Sequence, residues 1–274
     1  MTEIDAVVTD LDGTAVRRDG TVSDETLRAA AALRARGIPL VAATARTPSG
    51  VQALPALMPY LSFAVCCGGA IGYVPDGKAP AWRDTLLPQL VADLVSFVAR
   101  EMPAAGLAAY DGSGWRMSAD YRTLREDGHA GSVSVVEVAA LAGVDACAMV
   151  VAHPAWEPPR VIAALRAAGF DRSRVGLTYA GSEFVEVTAP SVDKASGVVR
   201  ALRTLGVPPE RALALGDMPI DIAMFTAVGH SVAMADAPEE VRAAATWQTP
   251  NAQDDGFARA LERLGLVTAA APPR

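Results

Sequence analysis

Residues 6–14 read AVVTDLDGT, an apolar run followed at once by two acids and a glycine. The run at 6–9 is too short for a helix and rich in β-branched residues, so it predicts a buried strand. Asp10 and Asp12 stand at the end of that strand, just before the glycine turn. Ligands of open α/β sheets bind beyond the carboxyl ends of the strands. This stretch therefore predicts both the fold class and the place of a functional site.

The two acids have more than one chemical interpretation. Their hard oxygens can bind magnesium, or one acid can act as a nucleophile while the other transfers protons. A solvated Asp-Gly turn is the structural alternative. By average composition, the five-residue pattern at 10–14 should arise by chance in roughly a few per thousand chains of this length. We therefore favour a functional site.

Strand and helix signals alternate at 1–83 and again at 188–274. Helix starts are indicated by the capping residue Ser23 and by the pair Thr47-Pro48. The predicted strands of these two regions lie at 6–9, 39–43, 63–67, 212–215 and 231–234. The alternation predicts an α/β protein with a doubly wound parallel sheet.

The middle of the chain follows a different pattern. It contains an amphipathic helix at 88–102, a hairpin that turns at Asp111-Gly112 and a strand at 146–152. This mixture predicts an inserted α+β domain. The predicted division is a core of residues 1–83 and 188–274 and an inserted domain of residues 84–187.

Polar side chains follow two more of the predicted strands. Thr44 and Arg46 follow the second strand, and Asp217 and Asp221 follow the fourth. Asp217 lies where it could join Asp10 around a cation. Taken alone, Thr44 is more often a cap than a phosphate ligand. An acid in the place of Asp221, in the first turn of a helix, is also favoured by the helix dipole.

Lys194 lies in the first turn of a predicted helix at 191–205. A lysine there opposes the helix dipole and is mildly unfavourable. Local rules are often broken at functional sites, so this position is a candidate. The alternative is an exposed lysine whose stem lies along the helix surface.

The candidates gain weight as a set. Three strands deliver Asp10, Asp12, Thr44 and Asp217 to one edge of a single sheet. A phosphoryl group with its magnesium ion needs a nucleophile, charge neutralisation and donors for its oxygens. This set of side chains supplies all three requirements.

Composition restricts the remaining classes of function. The chain has 274 residues, of which 51% are hydrophobic, and a formal net charge of −7. These values are typical of a folded globular protein and disfavour nucleic-acid binding. No apolar run reaches the ~20 residues of a membrane span, and the acidic N-terminus is unlike a signal peptide. We expect a cytoplasmic protein without a membrane or nucleic-acid partner.

The order of the motifs resembles the haloacid dehalogenase-like superfamily, in particular the Cof-type phosphatases with a large cap inserted after the third core strand. Residues 10–14 match its nucleophile motif, Thr44 its second motif and Lys194 its third. Gly216-Asp217 with Asp221 matches the fourth. The resemblance covers nearly the whole chain.

The resemblance implies a magnesium-dependent phosphatase that acts on a small phosphorylated metabolite, with a sugar phosphate as one candidate. Asp10 would attack phosphorus and form an aspartyl-phosphate. Asp12 would protonate the leaving alcohol and then activate water. Thr44 and Lys194, together with Arg46, would hold the phosphoryl oxygens.

The same resemblance implies a magnesium site. Asp10, the backbone carbonyl of Asp12 and Asp217 would bind the ion, and Asp221 would support them from behind. The inserted cap would close over the site and contact the leaving group.

The chain departs from the family pattern at several positions. Ile220 stands where the fourth motif usually carries asparagine, Ala45 replaces the usual glycine before Arg46, and Gly68 replaces an asparagine. Two alternatives remain open: a phosphomutase or phosphotransferase, and a binding or regulatory protein that kept the fold without turnover. The sequence specifies neither the substrate nor the oligomeric state.

Overall fold

The computed structural model describes residues 3–75, 77, 79–125, 130–179 and 183–268. Residues 1–2 and 269–274, the two ends of the predicted core, lie outside these ranges. Within the described part of the chain, no helix is both long and apolar enough to cross a bilayer.

Strands and helices alternate along most of the chain. The strands are β1 (Ala6–Thr9), β2 (Leu40–Ala43), β3 (Leu61–Cys66), β4 (Ile71–Tyr73), β5 (Trp82–Arg83), β6 (Gly106–Tyr110), β7 (Gly114–Met117), β8 (Ser132–Val135), β9 (Ala148–Ala152), β10 (Gly176–Thr178), β11 (Val185–Thr188), β12 (Ala212–Gly216), β13 (His230–Met234) and β14 (Trp247–Thr249). The α-helices are α1 (Asp24–Ala35), α2 (Pro48–Gln52), α3 (Pro88–Glu101), α4 (Ala119–Leu124), α5 (Pro158–Ala167), α6 (Lys194–Thr204), α7 (Ile222–Ala227), α8 (Glu239–Ala244) and α9 (Gly256–Arg263).

The first sheet has the strand order β14-β13-β12-β1-β2-β3-β4-β5. Its strands from β14 to β3 are parallel, with β2 and β3 on one side of β1 and β12 to β14 on the other. This arrangement confirms the predicted doubly wound α/β sheet. The sheet is not purely parallel, because β4 and β5 run antiparallel to their neighbours. Only a short turn joins β3 to β4, whereas a parallel return needs a crossover of about a dozen residues.

Both faces of the first sheet are buried. Val7 faces one apolar cluster that includes residues of α1 and α9. Val8, one residue later, faces another that includes residues of α6 and α7. Successive strand side chains point to opposite faces, so the parallel strands consist almost wholly of apolar residues.

The parallel register brings three strand ends to one edge. Thr9 of β1 pairs with Ala42 of β2 and with Leu215 of β12. The residues that follow therefore leave the sheet side by side. The chain places β2 and β3 on one side of β1 and later places β12 to β14 on the other side. Ligands of such sheets bind at the point where the strand order reverses, which here lies at the end of β1.

The second sheet lies within residues 106–188 and has the order β10-β11-β9-β6-β7-β8. Its pairs are antiparallel except for β7 with β8. Leu107 and Met149 face an apolar cluster formed with α3 and α5. Strand β11 ends at Thr188, one residue beyond the predicted inserted domain, and the proposed division into core and inserted domain stays a prediction.

The other face of the second sheet packs towards the first. Ala108 and Val150 of the second sheet share one apolar cluster with Leu11 and Cys67 of the first-sheet region. This shared cluster connects the two sheets beside the ends of β1 and β3. A cavity between them therefore lies next to Asp10 and its neighbours.

Helix α6 packs closely against the first sheet through a glycine. A Cβ atom added to Gly197 would lie 2.4 Å from Cγ1 of Val65 and 3.0 Å from Cα of Gly69. The start of the helix is equally close, since a Cβ on Gly69 would lie 2.1 Å from the carbonyl oxygen of Asp193. These contacts set the position from which Lys194 extends.

We expect Gly197→Ala to lower the free energy of unfolding by about 1–3 kcal/mol, because an extra methyl group in a packed site forces its neighbours apart. Gly143→Ala is the matched control, since its added Cβ would meet nothing within 4 Å and should change stability by less than about 0.5 kcal/mol. Urea unfolding followed by circular dichroism measures both. Equal stability of the two variants would contradict the close packing of α6.

Candidate active site

A buried lysine joins two carboxylates at the edge of the first sheet. Nζ of Lys194 donates hydrogen bonds to Oδ1 of Asp10 at 2.7 Å and to Oδ1 of Asp221 at 2.6 Å. Lys194 is only 2% exposed. The alternative of an exposed surface lysine is therefore wrong, because tight packing of α6 against β3 turns the side chain inward.

The start of α6 is held by a reciprocal pair of hydrogen bonds. The Asp193 carboxylate accepts from the backbone N–H of Ser196, and the Ser196 hydroxyl pairs with the backbone N–H of Asp193. This capping box fixes where the helix begins. It thereby holds Lys194, the first helical residue, at the strand ends.

The Asp221 carboxylate organises the loop after β12. Its Oδ2 accepts hydrogen bonds from the backbone N–H groups of Asp217 at 3.0 Å and Met218 at 2.9 Å. Asp221 is fully buried, and it lies in the 3₁₀ turn Pro219–Asp221. Both of its oxygens are thus occupied, one by the lysine and one by the loop.

Asp217 is held between a threonine and a glycine. The Thr14 hydroxyl donates to its Oδ1 at 3.1 Å. A Cβ on Gly13 would lie 2.3 Å from its Oδ2, and Gly13 has a φ of +84°. Only glycine suits this position, because it tolerates positive φ and leaves room for the carboxylate.

Asp10, Asp217 and Asp221 form a buried acidic cluster. Each offers a carboxylate oxygen, and these oxygens lie within 4.8 Å of one another. Burial raises the pKa of Asp10 well above its ordinary value, although Lys194 acts in the opposite direction. Burial, reinforced by the Asp221 carboxylate, raises the pKa of Asp217 to about 7. Three carboxylates lie together and one ammonium group binds only two of them, Asp10 and Asp221. The cluster can therefore accommodate a divalent cation, and its hard oxygens fit Mg²⁺.

The Asp12 carboxylate lies apart from this cluster. It is bound by the Arg46 guanidinium through two contacts, from Nε to Oδ2 at 2.8 Å and from Nη2 to Oδ1 at 2.6 Å. Its side chain is 56% exposed and faces the space above Asp10. The prediction that its backbone carbonyl binds the metal stays a prediction.

Thr44 lies buried at the end of β2. Its Oγ1 accepts a hydrogen bond from the backbone N–H of Arg46 at 3.1 Å. The hydroxyl proton of a threonine that accepts in this way remains available for a further acceptor. The sequence predicted that Asp10, Asp12, Thr44 and Asp217 lie at one edge of the sheet. In the structure all four line one cavity there, together with Lys194.

Two adjoining cavities open onto this edge. The first, about 360 Å³, is lined by Asp10, Asp12, Thr44, Lys194 and Asp217 together with Ile220. The second, about 470 Å³, lies between the two sheets and shares Asp12 and Ala45 with the first. Both volumes suit small molecules.

The second cavity contains charged residues that the sequence analysis missed. Arg125, Glu183 and Glu186 line it on the side of the second sheet. The signal for one of them was present, since Glu186 is the single acid in the strand sequence VEVT. A charged residue in an apolar strand is uncommon in a core without a partner.

Curated sequence relatives match part of the chain. A phosphoglycolate phosphatase of Methanoculleus marisnigri is 33% identical over 79 residues, which is 29% of this chain and 34% of the relative. The alignments with the first three curated relatives cover between 34% and 40% of their length.

Solved structures share the fold over the whole chain. A sugar phosphatase described as subclass IIB of the haloacid dehalogenase superfamily has a TM-score of 0.83 and 20% identity, covering 96% of this chain and 99% of its own. A phosphatase of Bacteroides thetaiotaomicron also has a TM-score of 0.83, with 21% identity over 97% of each chain. At this identity the likeness shows the fold alone.

A match to a whole protein family covers a longer part of the chain than the matches to these single relatives do. The family described as haloacid dehalogenase-like hydrolase matches residues 7–261. The match includes both the strand ends of the first sheet and the second sheet. The chain therefore belongs to the haloacid dehalogenase-like hydrolase family, as its motifs indicated.

Proposed function

We propose that this protein is a magnesium-dependent phosphatase that hydrolyses a small phosphorylated metabolite, with a sugar phosphate as one candidate. One observation carries the proposal. Asp10 lies buried at the base of a cavity, bound to Lys194 through one oxygen only, with Asp12 two residues further on. A nucleophile and an acid/base group thus face the same space.

Asp10 is the proposed nucleophile. Lys194 bonds its Oδ1, which leaves Oδ2 to attack phosphorus. The new bond joins that oxygen to phosphorus, while the bond from phosphorus to the ester oxygen breaks. The product on the enzyme is an aspartyl-phosphate, which divides a difficult displacement into two easier steps.

Asp12 is the proposed acid/base. In the first step it donates a proton to the departing alcohol oxygen. In the second step its carboxylate accepts a proton from the water that attacks the aspartyl-phosphate, which releases inorganic phosphate and restores Asp10. The bidentate contact with Arg46 orients Asp12 between the two cavities.

The phosphoryl oxygens need donors that are in place before the reaction. Lys194 uses two hydrogen bonds for carboxylates, and an ammonium group can donate three. The Thr44 hydroxyl lines the same cavity. Donors that are fixed in advance stabilise developing charge most effectively.

Asp10 and Asp217 would hold the magnesium ion, with the backbone carbonyl of Asp12. Asp221, whose oxygens are both occupied, would fix Lys194 and the loop that carries Asp217. A bound magnesium ion neutralises charge on the transferring phosphoryl group. Ile220 lines this cavity with an apolar side chain, so the loop contributes no side-chain amide from that position.

The names of similar proteins support the reaction type. The phosphoglycolate phosphatase and the sugar phosphatase both release phosphate from monoesters. The second sheet would act as the cap that reads the leaving group, since the second cavity lies between the two sheets.

We expect Asp10→Asn to abolish magnesium-dependent phosphate release, lowering kcat by roughly 10³-fold or more, because an amide is a poor nucleophile of the same shape. The assay measures inorganic phosphate from a panel of monoesters with and without Mg²⁺. Circular dichroism of the variant controls for folding. Release that survives the substitution would contradict Asp10 as the nucleophile, and no release by the wild type from any ester would contradict the phosphatase itself.

We expect Asp12→Asn to lower kcat by roughly 10²- to 10⁴-fold for esters of alkyl alcohols. With p-nitrophenyl phosphate, whose leaving group needs little protonation, the aspartyl-phosphate should accumulate because its hydrolysis lacks a base. Mass spectrometry of the acid-quenched enzyme would detect the added phosphoryl group. Its absence in Asp12→Asn, together with full turnover, would contradict the assignment.

We expect Gly13→Ala to weaken Mg²⁺ binding at least about tenfold, because the added methyl group would displace Asp217. Gly20→Ala is the matched control: Gly20 has a φ of +82°, close to the +84° of Gly13, but its added Cβ meets nothing within 4 Å. Backbone strain is therefore similar in both variants. Calorimetric titration with Mg²⁺ distinguishes them, and equal affinities would contradict the role of Asp217.

A further inference from the structure

Glu186 is the residue of the second cavity whose chemistry the proposed mechanism does not use. In β11, Val185 and Val187 face the apolar cluster with α3 and α5. Strand alternation turns Glu186, which lies between them, towards the first sheet. There it lines the second cavity and pairs across the sheet with Val150 on one side and Thr178 on the other.

One oxygen of Glu186 lacks a partner. The residue is only 8% exposed, and its Oε2 is buried without a hydrogen bond from any of the described residues. The nearest part of the core is Gly68, where an added Cβ would lie 3.7 Å from that oxygen. Because Gly68 has no side chain, the core offers no donor from this position.

The other charged groups that line the second cavity each have an ion-pair partner. Arg46 binds Asp12. Arg125 forms an ion pair with Glu183 and lies over the ring of Phe184, 5.1 Å from its centroid, while its Nε is buried without a hydrogen bond to any of the described residues. Among the charged residues that line the second cavity and are described, Glu186 is the one whose carboxylate has no ion-pair partner within 4.0 Å.

A buried carboxylate oxygen without a hydrogen bond is costly unless something binds it. Native proteins rarely leave such an oxygen without a partner, and the exceptions call for an explanation such as a ligand. Burial raises the pKa of Glu186 to about 7, although Lys194 and a hydrogen bond from Thr178 act in the opposite direction. Near neutral pH both protonation forms are then present, and a hydroxyl group can pair with either, since it both donates and accepts.

We propose that Oε2 of Glu186 binds a hydroxyl group of the leaving alcohol, so that the substrate is the phosphate ester of a polyhydroxylated alcohol, a sugar or an alditol. This inference rests on the proposed phosphatase function. A leaving group that carries a carboxylate, such as glycolate, would lie close to the acid of Glu186, and two like charges repel each other. The chain therefore favours sugar phosphates over phosphoglycolate.

The test compares esters with and without the hydroxyl groups. For each enzyme, kcat/KM is measured for glycerol 3-phosphate, ribose 5-phosphate, glucose 6-phosphate, phosphoglycolate and p-nitrophenyl phosphate. The readout is the ratio of kcat/KM for the best polyol ester to that for p-nitrophenyl phosphate, which has no hydroxyl group for Glu186 to bind. The ratio removes any effect of a variant that is common to all esters.

We expect Glu186→Met, which keeps the length of the side chain without its oxygens, to lower this ratio roughly 10- to 100-fold, as for loss of a hydrogen bond to a charged group. Glu186→Gln keeps a polar side chain and should lower it less. It should also raise kcat/KM for phosphoglycolate relative to the polyol ester, because it removes the acid. Glu137→Gln, the same change at an exposed acid, should leave the ratios unchanged.

Three outcomes would overturn the inference. In the first, the wild type turns over phosphoglycolate better than every polyol ester. In the second, Glu186→Met lowers kcat/KM for p-nitrophenyl phosphate as much as for the polyol ester. In the third, Glu137→Gln changes the ratio as much as Glu186→Met does. Failure of the phosphatase proposal looks different, because the wild type would then release no phosphate even from p-nitrophenyl phosphate. Thermal melting of each variant confirms that the compared proteins are folded.

Discussion

The buried ammonium group of Lys194 is the interaction on which the site depends. It lies between Asp10 and Asp221, which come from opposite ends of the chain. Loss of one partner of such a buried ion pair costs about 3–5 kcal/mol, because the remaining charges stay desolvated. The lysine therefore joins β1, α6 and the loop after β12 into one unit. It also lets three carboxylates lie close together, which a cation site requires.

Around this unit, glycines remove side chains where backbone and carboxylates approach closely. Gly197 and Gly69 let α6 lie against the sheet, and Gly13 gives space to Asp217. In each place an added Cβ would meet a neighbour closer than real Cβ atoms approach. Packed interiors tolerate little displacement. The positions of the charged groups are thus set by close backbone contacts several residues away from the acids.

The second sheet lies opposite the strand ends of the first sheet and lines the other side of the second cavity. Its apolar strands would satisfy packing requirements alone, but β11 carries Glu186 on the face towards the core. Among the described residues, the acid has no ion-pair partner in the cavity that Arg46 and Arg125 line. We thus propose that the reaction chemistry and the recognition of the leaving group come from different sheets. Such a separation lets a family keep one reaction while its substrates vary.

The sequence by itself determined the α/β sheet, the edge that carries Asp10 and the family, because these follow from local patterns: short apolar strands, helix caps and a motif of five residues. It missed the antiparallel β4 and β5, whose two or three residues show no period. Tertiary structure alone decided that Lys194 is buried and that Oε2 of Glu186 has no hydrogen bond from the described residues. Lys194 meets Asp10 across 184 positions of the chain, and only the packing of distant segments establishes such contacts and burial.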